Sequence, residues 1–151
     1  MPENKEELLS HYRRMRADLL AAIDGLTDEQ LTEESLDGWS VKDHLAHLAF
    51  WDDLRAAEVA RVSAGHQAAW VMTPEQDEAL NALAYACRRE MSPAQAKWEL
   101  AESRQRLVDA ISSATPRGLD ASLYGEAGLR TSHEAEHAGW IRRWRANRGA
   151  R

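Results

Sequence analysis

His133 and His137 stand four residues apart in the run His133-Glu134-Ala135-Glu136-His137. On an α-helix this spacing projects both imidazoles from one face, so the two can address a single ion. Two ligands are half of a metal site. Residues 138 to 151 contain no His, Asp, Glu or Cys, so a third protein ligand has to come from upstream.

The same run spells H-E-x-x-H, the helical signature of zinc proteases in which the glutamate is the general base. Those enzymes usually take a further ligand from beyond the motif, and here there is none. Glu134 also has a simpler explanation: Thr131 followed three residues later by Glu134 reads as a capping box at a helix start. A capping or solvent-facing role is the expectation for Glu134, and Glu134→Gln is then expected to be silent.

The remaining histidines are His11, His44, His47 and His66. His66 sits beside Gly65 at a loop and His11 lacks a second donor near it, so both read as solvated surface groups. His44 and His47 lie three apart on the flanks of a Val41, Leu45, Leu48 seam, and periodicity alone does not separate them. Asp52 follows His47 by about one turn. It is a candidate for a carboxylate that supports a metal ligand from behind or acts as a base, with a solvent-facing helix acid as the plain alternative. Trp51, Trp140 and Trp144 are candidate pocket walls, although tryptophans at helical spacing more often belong to a core or a dimer interface.

These side chains must be carried by helices. Leu8, Leu9, Tyr12, Met15, Leu19 and Ile23 recur every three or four residues, which predicts a helix over residues 5 to 24 closed by Gly25. Thr27 and Gln30 can cap a short turn. Ser40 with Asp43 at N3 starts a second helix running to about Ser63, before Gly65. Thr73-Pro74-Glu75-Gln76 opens a shorter one to about Arg89, and Ser92-Pro93-Ala94-Gln95 opens a long one ending before Pro116. Residues 117 to 130 read as a loop. The last helix runs from about Thr131 to Asn147 and carries the histidine pair. No stretch alternates with period two, and there is neither an internal repeat nor a low-complexity linker. The expected architecture is all-α: a four-helix bundle with a shorter extra helix between the second and third long ones, as one domain over residues 1–151.

Composition fits a soluble globular chain, with 44% apolar and 29% charged residues. The net charge of -6 disfavours a nucleic-acid partner, because phosphate binding needs Lys and Arg. Arg142, Arg143, Arg145, Arg148 and Arg151 crowd the C-terminus, where cations also complement a helix dipole. No apolar run is long enough for a bilayer, so no membrane partner is expected, and the N-terminus lacks a signal-peptide layout; a cytoplasmic location is the default. The single Cys87 excludes an internal disulfide and reads as a small buried side chain rather than a nucleophile.

Gly38-Trp39-Ser40-Val41-Lys42-Asp43-His44-Leu45-Ala46-His47-Leu48-Ala49, followed by Trp51-Asp52, resembles the second-helix motif of the DinB-like (DinB and YfiT) superfamily. His133-x-x-x-His137 with Ile141 is similar to its closing-helix motif. The resemblance covers nearly the whole chain in helix order and length. It implies a four-helix bundle, often homodimeric, whose metal triad falls on His47, His133 and His137. His44 occupies a position that is usually apolar in that family. Activities in the family include transfer of low-molecular-weight thiols such as bacillithiol, mycothiol-dependent maleylpyruvate isomerisation, and hydrolytic detoxification in a branch that need not keep the metal.

A triad of histidines without a thiolate or carboxylate suits Zn²⁺, Ni²⁺ or Fe²⁺ and leaves positions open for water or substrate. Such an ion lowers the pKa of a bound water toward ~7 or holds an incoming thiol as thiolate. The expectation is therefore a divalent-metal-dependent transferase or hydrolase acting on a small molecule, with a thiol as candidate cofactor. The alternative is a non-catalytic protein that sequesters a toxic small molecule.

Overall fold

The computed structural model describes residues 1–149; Arg151 of the C-terminal arginine group lies outside them. Helices account for most of the chain: α1 (Lys5–Ile23), α2 (Asp28–Thr32), α3 (Val41–Ser63), α4 (Pro74–Arg88), α5 (Pro93–Ser112) and α6 (His133–Gly149). Between α5 and α6 the chain makes two 3₁₀ turns, Arg117–Leu119 and Ala121–Tyr124. No β-strand occurs among the described residues, and the one isolated bridge joins Leu36 to Trp39.

Most helix starts follow from local chemistry. Thr27, Ser40 and Thr73 each form a reciprocal capping box with the residue three further on, satisfying amide donors that a helix start leaves open. Ser92 accepts from the Gln95 amide ahead of Pro93. Gly25, at φ +76°, takes the left-handed turn that follows α1.

The last helix departs from expectation. It begins at His133, with the Ser132 carbonyl accepting the first helical bond from Glu136 N–H at 3.1 Å. The Thr131–Glu134 box does not form. Instead the Thr131 carbonyl lies 2.8 Å from His11 Nε2, and the Glu134 side chain turns inward to two arginines.

Helices α3 and α5 pack along each other, as do α1 and α6. Their apolar faces make two separate cores. One holds Leu19, Leu45, Leu48, Leu100, Ile141 and Trp144; the other holds Leu8, Tyr12, Val59, Leu107, Ile111 and Leu129. In every one of the four long helices a charged residue occupies the gap between the two sets: Arg16 on α1, Asp52 on α3, Arg104 on α5 and Glu134 at the start of α6. The bundle therefore has a polar layer across its middle.

Helix α4 buries only Ala84 fully, so its outer face stays wet. Cys87 is on that face and exposed, contrary to the buried position expected of a lone cysteine. The reason is that α4 packs as an appended helix rather than a fifth member of the bundle. No helix among the described residues is long and apolar enough to cross a membrane.

Candidate metal centre

The capping box at Ser40 sets the start of α3, and His44 and His47 then follow one and two turns in, facing α6. Helix α6 answers with His133 and His137. His47, His133 and His137 form a group whose ligand atoms all lie within 4.8 Å of one another. His133 Nε2 stands 3.1 Å from His47 Nε2 and 3.0 Å from His137 Nε2. Nitrogens this close are spaced like neighbouring ligands of one ion that sits about 2.0 to 2.1 Å from each.

Burial keeps these rings neutral, which is the state that binds metal. It is the leading cause in each case. His47 is held down to about 3 and His137 to about 2, each pushed further by the neighbouring histidines. His133 is lowered as well, with burial and the Arg55 charge outweighing Glu136, Glu134 and Asp52. Three neutral imidazoles converging where burial disfavours the protonated form fit a divalent cation.

His44 is a residue that the sequence reading left outside the site. It is buried, with its Nδ1 2.6 Å from His137 Nδ1. A neutral imidazole carries one N–H, so one of these two nitrogens donates and the other accepts. If His137 Nδ1–H donates, its Nε2 lone pair points at His133 and His47; the reverse assignment would put that proton on Nε2 and remove His137 as a ligand. His44 Nε2 then carries its own proton, buried and without a partner. The three-residue spacing of His44 and His47, which puts both on adjoining positions of one helix face, was the signal available for this.

Aromatic rings close the cluster. Trp39 packs edge-on against His44 and His47 at 5.2 and 5.3 Å between centroids and stacks on Tyr85 at 5.0 Å. Trp140 lies 4.8 Å from His137, and Trp51 lies 6.4 Å from His47. Of the three tryptophans expected as walls, Trp51 and Trp140 border the histidines, whereas Trp144 belongs to the core. Trp39 was missed, because it precedes its helix and reaches the site through the turn before Ser40. His66 is exposed, as expected, while His11 is half-buried against Thr131 rather than solvated.

Beside His133 lies the charged layer, closed into a ring. Arg16 gives Nε to Glu134 at 2.6 Å and Nη2 to Asp52 at 2.9 Å. Arg104 gives Nη2 to Glu134 at 2.7 Å and Nε to Asp52 at 3.0 Å. Spare guanidinium donors go to the Leu100 and Tyr12 carbonyls, both at 2.9 Å. Glu134 is 4% exposed, so the expected capping or solvent-facing role is overturned. The buried Arg104 and half-buried Arg16 guanidiniums offer charge-assisted bonds, stronger than the single backbone amide a capping box would satisfy. Asp52 is likewise buried, not a solvent-facing acid; burial raises its pKa against the opposing pull of Arg104 and Arg16.

Comparison with known proteins agrees with this architecture. The family model of the DinB superfamily matches residues 11–141. A crystal structure of an uncharacterised protein from Escherichia coli UTI89 superposes with a TM-score of 0.78, covering 99% of this chain and 96% of that one at 20% identity. At that identity the likeness speaks to the fold alone. No curated protein matches the chain.

Proposed function

The chain belongs to the DinB superfamily, and on that premise we propose that it is a divalent-metal-dependent enzyme acting on a small molecule, with His47, His133 and His137 as the ligands. The observation that carries this is the convergence of three neutral Nε2 atoms at 3.0 and 3.1 Å. A borderline divalent ion such as Zn²⁺, Ni²⁺ or Fe²⁺ held there supplies a Lewis acid with open positions for a substrate, or for a low-molecular-weight thiol as cosubstrate. Transferase or hydrolase chemistry is the reaction class we attach to that arrangement.

The other residues act on the ligands. His44 accepts the Nδ1 proton of His137 and so keeps the Nε2 lone pair directed at the centre, the kind of outer partner that fixes a ligand's tautomer. Trp39 and Trp140 exclude water around these two rings. Asp52 shares a small cavity with His133, but both of its oxygens accept from arginines, so we assign it to holding Arg16 and Arg104 rather than to moving a proton. We also propose a homodimer; the exposed Trp98 and Leu83, on α5 and α4, are surfaces of the type such contacts cover.

The test is metal content after purification without chelators. Near one equivalent of a divalent ion is expected, with His47→Ala, His133→Ala and His137→Ala each below a tenth of that. Full metal retention in any of these three variants would overturn the assignment. A metal-free chain that still binds a small molecule tightly would favour sequestration.

A further inference from the structure

A groove of about 790 Å³ runs between the second half of α3, the start of α4 and the loop before α6, and its inner end reaches His133. Trp51, Arg55, Thr131 and His133 line both this groove and an adjoining cavity of about 40 Å³ that Asp52, Arg104 and Glu134 also line. These four residues form the neck between the outer groove and the buried centre.

Arg55 is the only Lys or Arg among the residues lining the groove. Its Nη1 donates to the Gly128 carbonyl at 2.8 Å, and among the described residues no carboxylate pairs with it. This contrasts with Arg16 and Arg104, each held by two carboxylates. A half-buried guanidinium with a neutral partner leaves donors and a full charge facing the neck.

The acids of the groove do not cancel it. Glu58 accepts from the Ala69 and Trp70 amides at 3.0 and 3.1 Å and pairs with Arg61, so its carboxylate is used in holding Trp70 in the wall. Asp77 and Glu126 line the outer groove and not the inner cavity. Arg55 is the one cation of the groove lining, Asp77 and Glu126 stand away from the inner cavity, and the Asp52, Glu134 and Arg104 charges of that cavity are taken up by one another and by Arg16. The balance favours a ligand bearing a single negative charge and disfavours a phosphate dianion, since like charges in a confined site repel. Trp70, Val71, Met72 and Tyr124 give the groove apolar and aromatic wall.

We propose that this groove binds a small monocarboxylate with an apolar body, its carboxylate on Arg55 at the neck and its body along Trp70 and Val71. The inference names the substrate class for the centre proposed above and rests on that reading for its chemistry, though not for binding itself. A planar guanidinium matches a carboxylate with two parallel hydrogen bonds, and the charged end is thereby delivered beside His133.

Trp51 and Trp70 line the groove, so intrinsic fluorescence reports on it. The full chain is titrated with 4-phenylbutyrate and with its neutral amide, before and after treatment with a chelator. The acid is expected to bind saturably and at least tenfold tighter than the amide, with or without metal, and Arg55→Gln to reduce acid binding to the level of the amide. Arg55→Lys, which keeps the charge and loses the fork, is expected to fall between the two. Equal binding of acid and amide by the parent chain would overturn the proposal, as would acid binding lost on chelation but kept in Arg55→Gln. Metal content measured on the same samples judges the metal reading separately: a metal-free chain that still prefers the acid sinks that reading and leaves the carboxylate site standing.

Discussion

Two buried polar clusters touch at the start of α6, and they solve the problem of burial in opposite ways. The ring of Arg16, Asp52, Arg104 and Glu134 pairs every charge with two of opposite sign and sends spare donors to backbone carbonyls. Nothing in it is left over. The histidine cluster is uncharged, its nitrogens face one another, and His44 Nε2 has no partner at all. Buried polar groups are normally satisfied, and each exception calls for a physical reason such as a water or an ion. The contrast teaches that the ring ties four helices together while the histidines are arranged for something from outside the chain.

The contrast breaks most visibly if a ring member is removed. Arg104→Ala leaves two carboxylates sharing one guanidinium, and uncompensated buried charge costs about 3 to 5 kcal/mol. Chemical denaturation is expected to show a loss in that range, and a loss under 1 kcal/mol would mean the ring is no more than a surface network. Glu134→Gln sharpens the point, since glutamine also serves in a capping box. A capping role predicts almost no change, whereas a ring member predicts a loss above the roughly 0.5 to 2 kcal/mol that caps supply.

On the histidine side the larger effects concern the ion rather than the fold. His44→Phe keeps an aromatic ring of similar volume but removes the acceptor for His137 Nδ1. Loss of such outer partners typically costs about 10- to 100-fold in metal affinity, and competition with a chromophoric chelator should return a change in that range. His66→Ala, at an exposed loop, is the control that should leave affinity unchanged.

Acid separates the clusters by sign. His44, His47 and His137 have folded-state values near 4, 3 and 2, below the ordinary histidine value of about 6.5. As pH falls below about 6.5 the unfolded chain binds protons that the folded chain refuses, so stability is lost progressively from there downward. Asp52 runs the other way, because its raised value makes the folded chain the better proton acceptor there. In excess chelator, unfolding with falling pH is therefore expected to be less steep in His44→Phe than in the parent chain. Identical profiles would place the acid sensitivity outside the histidines. The smallest effect expected is on mass: light scattering at micromolar concentration should give the dimer, and a monomer mass would remove that proposal without touching the site.

Features with local causes were readable from residue order. Ser40 with Asp43, Thr73 with Pro74 and Gln76, and Ser92 with Pro93 each start a helix because the cap and its partner lie within one turn. The i, i+4 spacing of His133 and His137 required only that their segment be helical. Their convergence with His47 came from resemblance, since a contact across 86 residues leaves no trace in periodicity.

What tertiary structure alone decided is which competing partner each polar group takes. Glu134 had a capping site three residues away and went instead to Arg16 and Arg104, 118 and 30 residues distant, because a buried carboxylate gains more from two guanidiniums than from one amide. His44 had the pattern of a misplaced polar residue on an apolar seam, and became the partner of a ring 93 residues away. Cys87 and Trp39 were decided the same way, the one exposed because α4 packs by a single face, the other folded back onto the histidines by the turn before α3. The order of residues specifies helices through neighbours along the chain; the chemistry of the centre depends on neighbours across it, and those exist only once the bundle has closed.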